Sequence, residues 1–193
     1  YILLRKGPMT MGASQLCGFA KSDPSMETPN LQFHIQPIST DKLGGSNLHD
    51  FDAFTPTVSN IRPTSRGEVY LTSADTRDNP KIKMNYLSTP EDRKVTADGL
   101  KLIRKIVLET KTFAKYYPEE FRPGINFKND EELIKAASDY AQSIFHRVGT
   151  CKMGSDENAV VDDKLRVHGI KNLRVIDASI MPNITSGNTN SPT

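Results

Sequence analysis

One amphipathic segment limits the possible folds of this chain more than any other feature. Within residues 88–117, STPEDRKVTADGLKLIRKIVLETKTFAKYY, apolar side chains recur at the spacing of a helix. They form one stripe that consists of Val95, Leu102, Ile103, Ile106 and Val107. Ser88 or Thr89 can cap the helix, and a proline at position 90 suits its first turn. The pattern therefore predicts a long helix with one apolar face.

A period of two, which is typical of strands, appears earlier in the chain. In residues 30–37, NLQFHIQP, apolar and polar side chains alternate. The apolar set is Leu31, Phe33 and Ile35, and the polar set is Gln32, His34 and Gln36. This alternation predicts a strand in an antiparallel sheet that has one face in water.

Three further segments show patterns of regular structure. Residues 62–75, RPTSRGEVYLTSAD, predict a turn followed by a short strand that carries Val69 and Leu71. Residues 129–145, NDEELIKAASDYAQSIF, predict a second amphipathic helix, and residues 173–179, LRVIDAS, predict a buried strand.

Composition excludes several classes of function. The 193 residues, 36% hydrophobic, suit one globular domain, and a net charge of +2 gives no electrostatic reason to expect nucleic acid or an anionic membrane as partner. No apolar run approaches the ~18 residues of a membrane span. Cys17 and Cys151 are too far apart for a CxxC metal site or a disulfide framework. We therefore expect a protein without a metal, in a reduced, cytoplasmic setting.

A histidine follows the second predicted helix, in residues 145–154, FHRVGTCKMG. His146 could be a catalytic group, a metal ligand or a polar residue that complements the helix dipole. Metal binding is disfavoured because the four histidines show no HxxxH or HxH spacing. Cys151 could be a nucleophile, but an isolated cysteine more often behaves as a small buried apolar residue.

The last residues, 186–193, SGNTNSPT, are too polar for a core element. Such a segment is either a solvated loop or one wall of a site, where amides and hydroxyls orient a polar ligand. The preceding segment, 172–182, NLRVIDASIMP, predicts a strand that runs into a turn at Asp177 and Ala178. The end of such a strand is a common resting place for a cofactor.

Four segments, in this order along the chain, together resemble the glucose-methanol-choline family of flavin-dependent oxidoreductases. FHRVGTCKMG, AVVDDKLRVHGIKNLRVIDASIMP and TSGNTNSPT are similar to the C-terminal region of that family. RPTSRGEVYLTSADTRDNPKIKMNYLSTPED is similar to a strand-turn segment of its substrate-binding domain. The resemblance extends from about residue 7 to residue 193.

The resemblance implies an α+β fold, with a mostly antiparallel sheet of about six strands flanked by helices. Family members also have an FAD domain that starts with a Gly-rich fingerprint, whereas no GxGxxG follows a strand here and the chain begins at Tyr1. We therefore expect a C-terminal piece that lacks the FAD domain. Residues 1–170 would form the substrate-binding domain, and residues 171–193 would supply the strand and loop that complete the FAD site.

The resemblance also assigns site residues. His146 matches the catalytic histidine of the family, and Asn188 matches a second residue that is either His or Asn in its members. The cofactor contacts that it implies are Asp177 and Ala178 near the ribityl-pyrophosphate part of FAD, and the backbone of Thr189 and Asn190 near the flavin's pyrimidine edge.

The resemblance thus implies the oxidation of a primary alcohol, choline-like or other, to an aldehyde. A near-neutral imidazole can take the hydroxyl proton, and Asn188 can donate a hydrogen bond that aligns the substrate oxygen. FAD would accept the hydride, and oxygen or a quinone-like molecule would be the final electron acceptor.

A function of another class is the alternative. Without the phosphate-binding loop of an FAD domain, the chain by itself would be a non-catalytic binding or interaction module. Its docking face would then be bare and apolar, which would promote self-association.

Overall fold

Two compact units make up the chain. The computed structural model describes residues 5, 10, 12, 14–41 and 47–193. One unit combines Tyr1–Asn60 with Val95–Gln142, and the other combines Ile61–Lys94 with Ser143–Thr193. This division follows contacts within the chain. The boundary proposed after residue 170 concerns the architecture of the family, and it stays a prediction.

The first unit contains a three-stranded antiparallel sheet. Its strands are β1 (Leu16–Ala20), β2 (Leu31–Gln36) and β3 (Thr55–Asn60), in the order β1-β2-β3. β2 lies in the middle, with Phe33 opposite Gly18 on one neighbour and Val58 on the other. The predicted strand is therefore confirmed.

The expectation that the polar face of β2 lies in water is wrong. Gln32 is only 2% exposed, and β2 is the central strand of the sheet. The amide Nε2 of Gln32 lies 3.4 Å from Sγ of Cys17 on β1. A buried amide keeps a hydrogen-bond partner in this way, so a polar side chain is tolerated in the interior.

Three α-helices lie between residues 90 and 140. They are α1 (Pro90–Leu108), α2 (Lys111–Ala114) and α3 (Asp130–Tyr140). The predicted helix over residues 88–117 is thus present but ends earlier. Thr110 adopts an extended backbone and its hydroxyl donates to the carbonyl of Ile106 at 2.7 Å, which satisfies a C-terminal carbonyl of α1 and ends it.

The core of the first unit forms where α1 lies on the sheet. Leu31, Phe33 and Val95 are its buried centre. The partly buried residues around them are Ala20, Val58, Leu102 and Ile103. Gly99 allows a close approach, because a Cβ added there would stand 3.0 Å from a methyl of Val58 and 3.3 Å from one of Leu31. The absence of a side chain in the middle of α1 therefore brings helix and sheet into contact.

The second unit has little regular structure. An exposed hairpin pairs β4 (Glu68–Tyr70) with β5 (Lys81–Lys83), so the predicted strand with Val69 is confirmed. Between residues 143 and 193 there is no α-helix and no strand longer than a single bridge, and one 3₁₀ turn covers Ala178–Ile180. The α+β class is confirmed, but the described residues contain five strands in two sheets rather than about six in one.

The predicted buried strand LRVIDAS is wrong. Only Arg174 forms a β-bridge, to Arg166, and Ile176 is 72% exposed. A strand requires a continuous hydrogen-bonding neighbour along its length, and one bridge does not supply it. Apolar composition alone therefore misassigned this segment.

As for membranes, none of the helices in the described ranges is both long and apolar enough to cross one.

Candidate active site

His146 lies in an irregular segment of the second unit. The helix that was expected to end just before it, α3, ends at Tyr140, so His146 does not complement a helix dipole there. Phe145, immediately before it, has a φ of 66° in the left-handed region. That conformation costs a non-glycine residue about 1–2 kcal/mol, so tertiary contacts must hold the backbone in place at this point.

The amide of Asn188 meets the imidazole directly. Nδ2 of Asn188 lies 2.6 Å from Nε2 of His146, across a separation of 42 residues. Ser186, two residues before Asn188, also adopts a left-handed backbone, with a φ of 61°. The structure thus brings together the two residues that were predicted to form the catalytic pair, each after a strained residue.

Thr189 contacts the other nitrogen of the same ring. Its Oγ1 lies 3.2 Å from Nδ1 of His146, and its backbone N–H points at the same nitrogen from 3.3 Å. Thr189 is 5% exposed, whereas Asn188 and Asn190 on either side are exposed. Both ring nitrogens of His146 are therefore held by consecutive residues of one loop.

Asp177 caps the 3₁₀ turn rather than contacting the histidine. Its Oδ1 accepts hydrogen bonds from the hydroxyl of Ser179 at 2.5 Å and from the backbone N–H of Ser179 at 2.8 Å. These two bonds hold the pKa of Asp177 below its usual value, so its exposed side chain carries a negative charge at neutral pH. Ala178 opens the turn, and its carbonyl accepts from Met181.

Two backbone hydrogen bonds fix this turn to the segment that follows His146. The N–H of Cys151 donates to Ser179 at 3.0 Å, and that of Met153 donates to Ile180 at 2.8 Å. Gly149, between His146 and Cys151, has a φ of 90°, a backbone conformation that favours glycine. Cys151 is half-buried in this structural pairing, which favours a packing role over nucleophilic chemistry.

Two arginines that the sequence reasoning missed anchor the loop that precedes Asn188. Arg62 donates to Oγ of Ser186 at 2.6 Å, and Arg66 donates to Oδ1 of Asn183 at 2.6 Å. Both arginines stand in the segment RPTSR, which was read only as a turn. No local sequence signal pairs them with residues more than 100 positions later, as their separations of 124 and 117 show.

Over residues 14–41 and 47–193, no group of three or more His, Cys, Asp or Glu side chains stands close enough together to hold a metal ion.

Comparisons with known proteins decide the family. The family model for GMC oxidoreductases matches residues 63–193. The chain belongs to the GMC oxidoreductase family. The segments that carried the resemblance all lie in or at the edge of this matched range.

Two curated relatives support this family assignment. An alcohol dehydrogenase [acceptor] of Pseudomonas putida is 42% identical over 193 residues, all of this chain and 35% of that protein. An oxygen-dependent choline dehydrogenase of Citrobacter koseri is 43% identical over 176 residues, 91% of this chain and 31% of that protein. The chain thus spans about a third of the length of these relatives.

One solved structure supports the fold over the whole chain. A formate oxidase from Aspergillus oryzae, in which FAD modification was examined, has a TM-score of 0.86 at 26% identity, and covers 100% of this chain and 38% of its own. This chain therefore shares its fold with a solved oxidase.

Proposed function

We propose that the protein to which this chain belongs oxidises a primary alcohol, choline or a similar one, to an aldehyde with FAD as cofactor. The observation that carries the proposal is the cluster in which consecutive residues of one loop, Asn188 and Thr189, hold both ring nitrogens of His146. The names of the relatives, an alcohol dehydrogenase and a choline dehydrogenase, support this substrate class.

His146 acts as the general base. Oxidation of an alcohol removes the hydroxyl proton and a hydride from the carbon, and a neutral imidazole is suited to take the proton at neutral pH. Nε2 is the atom that receives it, since this nitrogen faces the exposed side chain of Asn188. General-base help of this kind contributes about 10²–10⁴-fold in rate.

Asn188 orients the substrate. Its amide can donate to the alcohol oxygen while it stays within reach of His146, so the hydroxyl is held beside the nitrogen that takes its proton. The strained backbone at Phe145 and Ser186 is consistent with this role, because such strain concentrates at functional sites.

The donor set of the chain fits an FAD molecule. The exposed carboxylate of Asp177 suits a ribityl hydroxyl, and the exposed amide of Asn190 suits the alternating donors and acceptors of the pyrimidine edge. Ala178, the next residue, would contribute to the same FAD-contacting surface as Asp177. The backbone N–H of Thr189 points at the ring of His146 and its C=O accepts from Thr193, so both backbone groups face the chain and a contact with FAD would be one of packing. When bound, FAD supplies the two-electron acceptor that takes the hydride.

The final electron acceptor is part of the same proposal. It would be oxygen or a quinone-like molecule, and the two relatives differ in this respect by name, one being oxygen-dependent.

Replacement of His146 tests the function. In the FAD-loaded protein, His146→Ala should slow the reduction of flavin by choline or 1-butanol by about 10²–10⁴-fold, while flavin absorbance shows that the cofactor stays bound. His168→Ala is the matched control, because His168 bonds the carbonyl of Gly154 and not the cluster. Flavin reduction at a near-normal rate in His146→Ala would overturn the proposal.

Two asparagine variants test the partner. Asn188→Ala should lower the rate of flavin reduction by about tenfold or more, the effect of one lost substrate hydrogen bond. Asn190→Ala should instead weaken the retention of FAD. The reverse pattern, with the rate depending on Asn190 and not on Asn188, would overturn the role of Asn188 in orienting the substrate.

A further inference from the structure

Thr189 is the buried member of an otherwise exposed loop. Sequence reasoning gave it only a backbone role toward FAD, yet its side chain is 5% exposed and its hydroxyl lies 3.2 Å from Nδ1 of His146. Its carbonyl accepts from the backbone N–H of Thr193 at 3.2 Å and from the Thr193 hydroxyl at 2.6 Å. Thr189 is therefore held in place independently of the histidine.

The contacts of the two ring nitrogens favour one tautomer of His146. An amide NH₂ can only donate, and Nδ2 of Asn188 stands 2.6 Å from Nε2, so Nε2 carries the lone pair. A neutral imidazole then has its hydrogen on Nδ1, and the hydroxyl oxygen of Thr189 at 3.2 Å can accept it.

A competing contact would favour the opposite tautomer. The backbone N–H of Thr189 also points at Nδ1, at the longer distance of 3.3 Å. If that bond determined the tautomer, Nδ1 would be the acceptor and the hydrogen would sit on Nε2, where a base must have its lone pair. Without the Thr189 hydroxyl, this N–H would be the contact left at Nδ1; with it, the Nδ1 hydrogen has an acceptor, which supports the tautomer that the Asn188 amide favours.

We infer that Thr189 is a positioning residue, whose hydroxyl accepts the Nδ1 hydrogen of His146 and so keeps the Nε2 lone pair available for the substrate. The same bond persists when Nε2 takes the proton, since Nδ1 keeps its hydrogen throughout. A base whose second nitrogen is oriented by a third group is a recurrent arrangement in catalysis. The inference rests on the proposed function of His146.

Three variants isolate the hydroxyl. Thr189→Val removes it and keeps the shape and the backbone N–H, while Thr189→Ser keeps it. Ser191→Ala removes a hydroxyl from an exposed position of the same loop and is the matched control. Each is made in the complete FAD-loaded protein, with histidine labelled by ¹⁵N in the ring, and the His146 signals are assigned by their loss in His146→Gln.

The ring ¹⁵N shifts report the tautomer without any turnover. The unmodified protein, Thr189→Ser and Ser191→Ala should show hydrogen on Nδ1, and Thr189→Val should shift toward hydrogen on Nε2. Flavin reduction by choline or 1-butanol should fall about tenfold in Thr189→Val with little change in the alcohol concentration at half saturation, and Thr189→Ser should recover most of it.

The outcomes separate this inference from the proposed function. Two results would overturn the role of Thr189: hydrogen on Nε2 in the unmodified protein, or an unchanged tautomer and rate in Thr189→Val. If His146→Ala is slow in the same experiments, the proposal that His146 is the base still stands. A tautomer shift in Thr189→Val together with a normal rate in His146→Ala would instead leave the hydrogen bond standing and refute His146 as the base. A loss of rate in Thr189→Val that Thr189→Ser does not restore would also contradict the inference.

Discussion

Each of the two units of this chain is stabilised internally by a different kind of interaction. In the first, a three-stranded sheet and α1 enclose the apolar residues Leu31, Phe33 and Val95. In the second, residues 143–193 contain no α-helix or extended strand, and individual hydrogen bonds from backbone and side-chain groups hold the backbone. The proposed site therefore lies in the unit with less regular structure, where individual hydrogen bonds position its side chains.

The start of α1 shows how the second unit uses a charged group. Asp92 is 3% exposed and accepts hydrogen bonds from the backbone N–H groups of Thr64 and Ser65, each at 2.9 Å. The same segment continues into Arg66, which bonds Asn183. A single buried carboxylate thus fixes the segment that carries an anchor of the C-terminal loop.

The largest effect on stability should come from the apolar core of the first unit. Leu31→Ala removes a side chain that is 1% exposed and should lower the free energy of unfolding by about 3 kcal/mol, through lost burial and the cavity left behind. Urea denaturation measures the change, and hydrogen exchange should show faster exchange of amides in β2 and β3.

Leu16→Ala on β1 is the control for this change, since Leu16 is exposed, and it should alter the free energy of unfolding by less than about 0.5 kcal/mol. If both variants were equally stable, apolar packing would not be what distinguishes the first unit, and the comparison would fail.

Sequence patterns located the elements of the first unit better than the site. The stripe on α1 and the alternation in β2 are local signals, and both elements exist. The burial of Gln32 could not be read from its own strand, because it depends on neighbours far along the chain. Apolar composition likewise failed for LRVIDAS, whose backbone has a bridge at one residue only.

The site was reached by another route. His146 and Asn188 were paired by resemblance to a family, because no period or spacing connects residues 42 positions apart. The side chain of Thr189 and the anchoring arginines were missed for the same physical reason. A long-range hydrogen bond leaves no local pattern in the sequence.

The second prediction concerns the carboxylate of Asp92 in the second unit. Burial by itself would raise the pKa of Asp92, but hydrogen bonds from Ser65 and Thr64 outweigh it and hold the pKa below its usual value. Asp92→Asn retains one acceptor and places an NH₂ against a backbone N–H. It should lower the free energy of unfolding at pH 7 by about 2 kcal/mol, measured in urea.

The pH dependence of that loss follows from the direction of the shift. A carboxylate whose folded pKa is depressed stabilises the fold above its unfolded pKa, about 4, and this stabilisation disappears as the pH falls through the lower folded value. The difference between Asp92→Asn and the unmodified protein should therefore shrink below about pH 4. Glu91→Gln, at an exposed position of the same turn, is the control. A difference that stays constant from pH 7 to pH 3 would show that the charge of Asp92 is not what stabilises this segment.

The smallest effect is expected at the start of α3, where the first unit also depends on a polar side chain. Oδ1 of Asn129 accepts from the N–H of Glu132 at 2.9 Å, and the carboxylate of Glu132 accepts from the N–H of Asn129 at 3.2 Å. Asn129→Ala should cost about 1 kcal/mol in the free energy of unfolding, because it removes one of two reciprocal caps, and Asn129→Ser should recover most of it. Both are measured by urea denaturation. If Asn129→Ala lowered the free energy of unfolding as much as Asp92→Asn does, polar side chains would contribute equally to the stability of both units. The first unit would then not differ from the second in its dependence on polar side chains.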